Sequence, residues 1–229
     1  GYQPIHQPLL TLVPLPTLPP EQRQHLLELD CYQHVIFISA NAVRFGMNCI
    51  EDCWPQLPVG IRWYAIGGTT AALLAEHGVV PITPGDAMSS EGLLAVAELQ
   101  QVAAQRVLIV KGEGGRTTLR DSLSQRGASV DELACYRRQC PELAPDALAE
   151  ILRAGPVEAV LLSSGEGLQN LLTLLSRVES TKFRDICLVV PSTRVAGMAR
   201  EAGFRQVSAA ANASDAAMLA ALQQWRSGE

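Results

Sequence analysis

The chain repeats part of its own sequence, and this feature limits the folds it can adopt more than any other. Three segments recur in the same order, each as an apolar run or a helix start in both copies. The pairs are "VIFISANAV" (35–43) with "AVLLSSGEG" (159–167), "WYAIGGTTAALLAEHG" (63–78) with "CLVVPSTRVAGMAREAG" (187–203), and "SSEGLLAVAELQQ" (89–101) with "ASDAAMLAALQQW" (213–225). Because internal repeats are copies of one structural unit, the sequence predicts two similar units.

The repeated segments are separated by nearly one distance. Ser39 and Ser163 are 124 residues apart, and so are Ser90 and Ser214, each of the latter pair being a predicted helix N-cap. Three matches in one order at nearly one offset are difficult to attribute to chance.

Each copy alternates apolar strands with helices of ten to fifteen residues. This alternation is typical of βαβ units and a parallel sheet. The strands "VIFIS", "RVLIV", "AVLLS" and "ICLVV" are continuous apolar runs, as expected where helices cover both faces of a sheet. The predicted fold is therefore α/β, with two similar three-layer parallel-sheet domains.

The two copies are not equally complete. The first continues into a further strand, helix and strand over 106–138, whereas the second ends with the chain. The opening "GYQPIHQPLLTLVPL" resembles the segment that follows Gly127. We therefore predict an inserted domain, residues 13–138, within a discontinuous domain of residues 1–12 and 139–229. The first strand–helix unit of the latter would precede residue 1, and a two-segment linker would join the domains.

Composition narrows the class of partner. The net charge is −5, which argues against the broad basic face of a nucleic-acid-binding protein. No apolar run spans a membrane and no signal-peptide pattern is present. The six cysteines are scattered and complete no zinc set. We expect free thiols in a cytoplasmic protein, and no metal.

Ligands of parallel sheets bind beyond the carboxyl ends of the strands. Here those ends carry small hydroxyl side chains, glycines and exposed backbone N–H groups, which suit an anion. The candidate binding residues, all in such turns, are Ser39, Ala40, Asn41, Gly67, Thr69, Thr70, Lys111, Gly112, Gly114, Arg116, Ser163, Ser164, Gly165, Ser192 and Thr193. The alternative for each serine or threonine is that it only caps its own helix.

Two candidates add chemistry to this anion site. In "VKGEGGRTTLRDSLSQRG" (110–127), Lys111 and Arg116 place positive charge beside a glycine-rich turn that is neither a Walker A loop nor a dinucleotide fingerprint. Tyr136 ends the strand "ELACY", where its hydroxyl could donate a proton to a leaving group. Packing against the predicted hinge is the alternative for this tyrosine.

The chain resembles the uroporphyrinogen-III synthase family. The segment "VLIVKGEGGRTTLRDSLSQRGASVDELACYRR" carries the most specific part of the resemblance, with "VIFISANAV", "YAIGGTTAALLAEHG" and "LLSSGEGLQNL" in support. The resemblance implies two α/β domains around a wide cleft. It also implies a cofactor-independent lyase that cyclises hydroxymethylbilane to uroporphyrinogen III with inversion of ring D. Tyr136 matches the family's tyrosine that assists loss of hydroxide.

Two other functions remain open from the residues alone. A non-catalytic two-domain module could trap a small anion in the same cleft, and a nucleotide-sugar transferase could be built from two parallel-sheet domains. The lack of Walker and dinucleotide fingerprints weighs against the second. With the synthase we expect one small-molecule partner bearing eight carboxylates, no nucleic acid, no membrane and a monomeric state.

Overall fold

The computed structural model describes residues 2–144, 146–175 and 183–228. Contacts divide the chain into two compact units. We call residues 12–138 the central unit, and residues 1–11 with 139–229 the terminal unit. The predicted outer limits, Gly1 and Glu229, lie outside the described residues.

The central unit is built on a five-stranded sheet. Its strands, in spatial order, are β1 (Thr11–Pro14), β5 (Ser129–Gln139), β4 (Arg106–Gly112), β2 (His34–Phe37) and β3 (Arg62–Ala65). The pairs β2–β3, β2–β4 and β4–β5 are all parallel. The prediction of an α/β fold with parallel strands is confirmed for this unit.

Helices cover both faces of this sheet. They are α1 (Pro20–Leu27), α2 (Ala40–Cys53), α3 (Gly68–Glu76), α4 (Ser90–Leu94) and α5 (Thr118–Gln125). Side chains alternate along β4, so Leu108 and Val110 pack with α1, α2 and α3. Val107 and Ile109 point the other way, towards α4 and α5. This explains why β4 is apolar at every position from 107 to 110.

The terminal unit has a smaller sheet. Its described strands are, in order, β6 (Ala159–Leu161), β7 (Cys187–Val190) and β8 (Val207–Ala209), again parallel. The described helices are α6 (Ala147–Arg153), α7 (Gly165–Leu174), α8 (Thr193–Glu201) and α9 (Asp215–Ser227). Leu188 and Val190 pack with α6, α7 and α8, and Val189 packs with α9. Within the described chain, β6 is an edge strand, whereas its counterpart β2 is interior.

The structure makes the repeat more regular than the sequence indicated. The N-caps of equivalent helices are Ser39 and Ser164, Gly67 and Ser192, and Ser89 and Ser214. Each pair is 125 residues apart, so the pairings of Ser39 with Ser163 and of Ser90 with Ser214 were each wrong by one residue. Both errors fall on Ser-Ser dipeptides, where either serine could cap and only the extended backbone of the true N-cap distinguishes them.

The segment 89–101 forms less helix than predicted. Helix α4 ends at Leu94, Val96 is extended, and a 3-10 turn occupies Ala97–Leu99. The Arg126 guanidinium donates hydrogen bonds to the carbonyls of Leu94 and Leu99, both at 2.8 Å. This long-range partner satisfies carbonyls that a continuous helix would have bonded internally, which is why a local pattern could not predict the break. No described helix is long and apolar enough to span a membrane.

A buried histidine at the amino ends of β2 and β3 predicts acid sensitivity. His34 is fully buried, and its ring contacts the Tyr64 hydroxyl at 2.8 Å and the Gln105 side chain. Burial lowers the pKa of His34, against a smaller raising effect of Gln105. The unfolded histidine gains its proton near pH 6.5, and the folded one only at lower pH. The contribution of the neutral, buried His34 to the free energy of unfolding is therefore fully present above about pH 6.5. It is lost as the pH falls through the pKa of the folded state.

We expect the urea midpoint of the wild-type protein to fall between pH 7.5 and pH 5 more steeply than that of His34→Gln. His6→Gln removes an exposed histidine and is the control variant. An unchanged slope in His34→Gln would show that His34 does not govern the acid response.

Candidate active site

The turn after β2 forms the start of α2. Ser39 is its N-cap, and the Ser39 hydroxyl accepts a hydrogen bond from the Ala42 N–H at 3.1 Å. Because that hydroxyl keeps its own proton, it can cap the helix and still donate to a ligand. Ala40 and Asn41 are the first two residues of α2, where backbone N–H groups have no partner within the helix. The Asn41 side chain accepts a hydrogen bond from Arg44 at 3.2 Å.

Tyr136 lies beside this helix start. Its hydroxyl is 3.4 Å from the Ser39 hydroxyl, and its ring stacks on Phe45 with the centroids 5.1 Å apart. The ring also lies over Gly112, where a Cβ atom would come within 2.7 Å of it. Only 7% of Tyr136 is exposed. Packing on two sides therefore fixes the ring and leaves the hydroxyl next to the N-terminus of α2.

The turn after β3 has a different composition. Gly67 is the N-cap of α3 and supplies no side chain, so the first N–H groups of this helix receive no side-chain cap. Thr69 is exposed, but Thr70 is buried. Of the two predicted threonines, only Thr69 presents its hydroxyl to solvent.

Lys111 belongs to β4 rather than to the glycine-rich loop. It shares a face with Val107 and Ile109, and its ammonium donates a hydrogen bond to Glu132 at 3.0 Å. A register shift between Lys111 and Gly112 pairs Gly112 with Tyr136. As a result Gly112 faces Tyr136, whereas Lys111 faces the α4–α5 side of the sheet.

The loop itself is shaped by two glycines in the left-handed region. Gly114 and Gly115 have φ of 71° and 88°, a conformation that favours glycine. Arg116 follows them; its side chain is 74% exposed and lies 3.6 Å from Glu91. The Arg116 side chain therefore lies on the Lys111 side of the sheet.

In the terminal unit, the equivalent turns keep the capping serines. The Ser164 hydroxyl accepts from the Gly167 N–H at 3.0 Å, and the Ser192 hydroxyl accepts from the Val195 N–H at 3.4 Å. Ser163 is exposed and caps nothing. Gly165 and Thr193 begin α7 and α8. Their helix starts offer the same first-turn N–H groups and hydroxyls as the start of α2.

Cys135, which directly precedes Tyr136, is buried and poorly suited to act as a nucleophile. All six cysteines are free, and burial raises the pKa of the Cys135 thiol to about 12, which disfavours the nucleophilic thiolate. Among the described residues no three histidine, cysteine, aspartate or glutamate side chains are grouped to hold a metal ion.

Sequence reasoning missed several neighbours of the predicted residues. Phe45 supports Tyr136, and Arg120, Glu132 and Met88 line a cavity together with Lys111. The alternation Val107, Ile109, Lys111 was a signal that the lysine points away from Gly112. Glu132 gave no comparable signal, because its approach depends on the β4–β5 register.

Comparison with known proteins identifies the family. A model of the uroporphyrinogen-III synthase HemD family matches residues 1–220. The chain belongs to the uroporphyrinogen-III synthase family. The synthase of Escherichia coli K12 is 37% identical over 225 residues, covering 95% of this chain and 89% of that protein. The synthase of Salmonella typhimurium LT2 is 37% identical over 193 residues, covering 82% and 78%.

Solved structures of the family share the fold. The Helicobacter pylori 26695 uroporphyrinogen-III synthetase superposes with a TM-score of 0.60 at 17% identity, covering 95% of this chain and 91% of that chain. A mutant synthase from the extremely thermophilic bacterium Thermus thermophilus gives a TM-score of 0.51 at 19% identity, covering 96% and 86%. The predicted family is confirmed by the family model and the sequence relatives, and these structures show that the fold is shared.

Proposed function

We propose that the protein is a uroporphyrinogen-III synthase, which cyclises hydroxymethylbilane to uroporphyrinogen III with loss of water and inversion of ring D. Family membership supports the overall reaction. The observation that carries the assignment of the site is the Tyr136 hydroxyl beside Ser39 at the N-terminus of α2.

The reaction begins with loss of the terminal hydroxyl group. The carbon–oxygen bond breaks, and the departing oxygen takes a proton from Tyr136 and leaves as water. The pyrrole stabilises the cation that remains, so a strong protein acid is unnecessary. The substituted carbon of ring D then attacks to give a spiro intermediate. The older bond from that carbon to the ring C methylene then breaks, and the same methylene bonds to the free α-carbon of ring D, which inverts the ring and closes the macrocycle. The free α-carbon loses its proton in this step, and that proton restores the tyrosine hydroxyl.

Orientation of a flexible substrate is the larger task. Holding two reacting groups in the correct geometry can contribute about 7–11 kcal/mol in favourable cases. We assign this task to the helix starts at Ser39–Asn41, Gly67–Thr69, Ser164–Gly165 and Ser192–Thr193. Their first-turn N–H groups and the positive ends of the helix dipoles suit carboxylates, and the capping serines can still donate a hydrogen bond.

We also propose an enzyme class, an oligomeric state and a location for the protein. The enzyme is a cofactor-independent, cyclising lyase, acting as a monomer on a small molecule and not on nucleic acid. Free thiols suit a cytoplasmic location. We further propose that the two units are α/β domains, the terminal one discontinuous. The division at residues 11/12 and 138/139, one residue from the first predicted boundary, supports this arrangement.

The isomer of the product tests the proposal. The protein is incubated with freshly made hydroxymethylbilane, and the products are oxidised and separated. We expect the type III isomer in excess over a protein-free control, in which spontaneous closure gives type I. Type I alone would contradict the assignment and leave the protein as a binding module at most.

Removal of one hydroxyl tests the role of Tyr136. We expect Tyr136→Phe to lower kcat about 10- to 100-fold, at the lower end of proton-transfer effects because the cation is self-stabilised. Stability should change little, since the bond to Ser39 is long. The matched control is Tyr64→Phe, which should keep kcat and lose about 1 kcal/mol of stability with its bond to His34. Equal kcat values in the two variants would remove Tyr136 from the mechanism.

A further inference from the structure

A cavity opens on the side of the central sheet away from Tyr136. It has a volume of about 250 Å³ and lies among the ends of β2, β3 and β4, the start of α4, and α5. Its floor is apolar and its remaining wall carries three cations and one acid. The floor residues are Ile38, Ile66, Ile109 and Leu119; the charged residues are Lys111, Arg116, Arg120 and Glu132. The cavity thus combines an apolar surface with an excess of positive charge.

Lys111 is the most buried lysine, arginine, aspartate or glutamate in the part of the chain that the structure describes. Its side chain is only 7% exposed, whereas lysine is rarely buried unless it is paired. Among the described residues its ammonium makes one hydrogen bond, to Glu132. An ammonium has three N–H donors, so Lys111 retains donors for a ligand in the cavity.

The two arginines are held only weakly by their present partners. Arg116 lies 3.6 Å from Glu91, and both side chains are more than half exposed. Arg120 contacts Asp121 at 3.2 Å and Glu132 at 3.9 Å. Exposed pairs of this kind contribute little, so either guanidinium can turn to a stronger anionic partner.

We propose that this cavity binds one acid-bearing pyrrole ring, with the ring on the isoleucine and leucine floor and a carboxylate on Lys111. Arg116 and Arg120 hold the same or a second carboxylate. When the cavity is empty, Glu132 accepts the hydrogen bond of the Lys111 ammonium. The carboxylate of the ligand competes with Glu132 for this ammonium. The identity of the ring as part of a linear tetrapyrrole rests on the proposed function.

Size and position favour a single ring. The volume is slightly below the roughly 300–1,000 Å³ of pockets that take drug-sized ligands, so four linked pyrroles do not fit. Ile38 and Ile66 directly precede Ser39 and Gly67, the first positions of the proposed binding turns. With one pyrrole ring in the cavity, the neighbouring rings of the bound tetrapyrrole would therefore be within reach of these turns.

The test uses a monopyrrole that carries one acetate and one propionate side chain. Its binding is measured by calorimetry and by ligand-observed NMR, with the dimethyl ester of the same pyrrole as a neutral control. We expect the diacid to bind and the ester to bind at least tenfold more weakly. Lys111→Met should weaken diacid binding about tenfold or more, because a charge-assisted hydrogen bond is lost.

Two further variants distinguish a binding role from a structural one. Glu132→Gln removes the competing carboxylate and should tighten diacid binding about threefold, opposite in sign to Lys111→Met. Arg116→Gln should weaken binding about threefold at low salt and less at high salt. Arg205→Gln is its matched control: the Arg205 side chain is also 74% exposed and paired with an acid, but it is not part of the cavity, and binding should be unchanged.

The outcomes separate this proposal from the synthase assignment. No diacid binding by the wild type, equal binding by Lys111→Met, or weaker binding by Glu132→Gln would overturn the cavity proposal, even if the protein forms the type III isomer. Lys111-dependent binding without type III formation would support the cavity and contradict the synthase. If Lys111→Met does not fold, the opposite signs for Glu132→Gln and Arg116→Gln decide the result.

Discussion

Replacing Gly112 with alanine should reduce type III formation about as much as removal of the tyrosine hydroxyl does, by about 10- to 100-fold. The new Cβ would lie 2.7 Å from two ring atoms of Tyr136 and 3.1 Å from its hydroxyl oxygen. Phe45 packs against the ring, so the ring cannot move aside without disturbing a second contact. We expect displacement of the hydroxyl from Ser39, with a loss of stability of about 1–3 kcal/mol typical of overpacking.

The position of the ring gives this prediction a control. In Gly112→Ala/Tyr136→Leu the smaller side chain should restore most of the stability lost in Gly112→Ala, while turnover stays low because the hydroxyl is absent. Steady-state kinetics and urea unfolding measure the two effects separately. Wild-type turnover in Gly112→Ala would show that the position of the Tyr136 ring does not limit the reaction.

Gly46→Ala should destabilise the protein through its core rather than through the site. Gly46 lies in the middle of α2, and an added Cβ would be 2.4 Å from Val110 Cγ1 and 3.3 Å from the Phe37 ring. Both neighbours are fully buried. The gain of about 1 kcal/mol expected for alanine over glycine in a helix is outweighed, so we expect a net loss of about 2 kcal/mol. Urea unfolding at pH 7.5, above the acid-sensitive range, measures it.

A second helical glycine provides the matched comparison. Gly197 lies inside α8, and a Cβ there would meet no atom within 4 Å, so Gly197→Ala should stabilise by about 0.5–1 kcal/mol. In the central unit, Val110→Ala combined with Gly46→Ala should recover part of the lost stability, because the methyl group in conflict is removed. A stabilising Gly46→Ala would contradict the close packing of α2 on β4.

The sequence predicts the architecture well because continuous apolar runs and capped helices are local signals. It predicts less well at which residue each helix begins. Ser163 and Ser164 are equally good caps by residue type, and only backbone conformation selects Ser164. The same ambiguity at Ser89 and Ser90 shifted the repeat by one residue. The break after α4 likewise depends on Arg126, which is distant in sequence.

The candidate site is harder to predict from the sequence than the fold. Residues at strand ends could be selected by type, but the β5 side chains that they contact could not be assigned without the β4–β5 register. Lys111 follows the alternation of β4 and reaches Glu132, whereas the register shift after it pairs Gly112 with Tyr136. The two halves of the predicted cationic loop therefore serve opposite faces of the central sheet. Phe45, which holds the tyrosine, is recognised only from three-dimensional packing.

The capping serines combine two roles that the sequence presented as alternatives. Ser39, Ser164 and Ser192 each accept a hydrogen bond from their own helix. A hydroxyl that accepts in this way still has a proton to donate. We therefore expect capping and ligand binding to coexist at these residues.

The most direct test of this account maps where the substrate binds. Protein labelled with ¹⁵N is titrated with a bilane whose terminal hydroxymethyl group is replaced by methyl, so that it cannot react. Within the central unit, we predict the largest amide shifts at Ala40, Asn41, Gly68 and Thr69, the first turns of α2 and α3. Shifts confined to the amino ends of the strands, around His34 and Arg62, with those four amides unmoved, would contradict it.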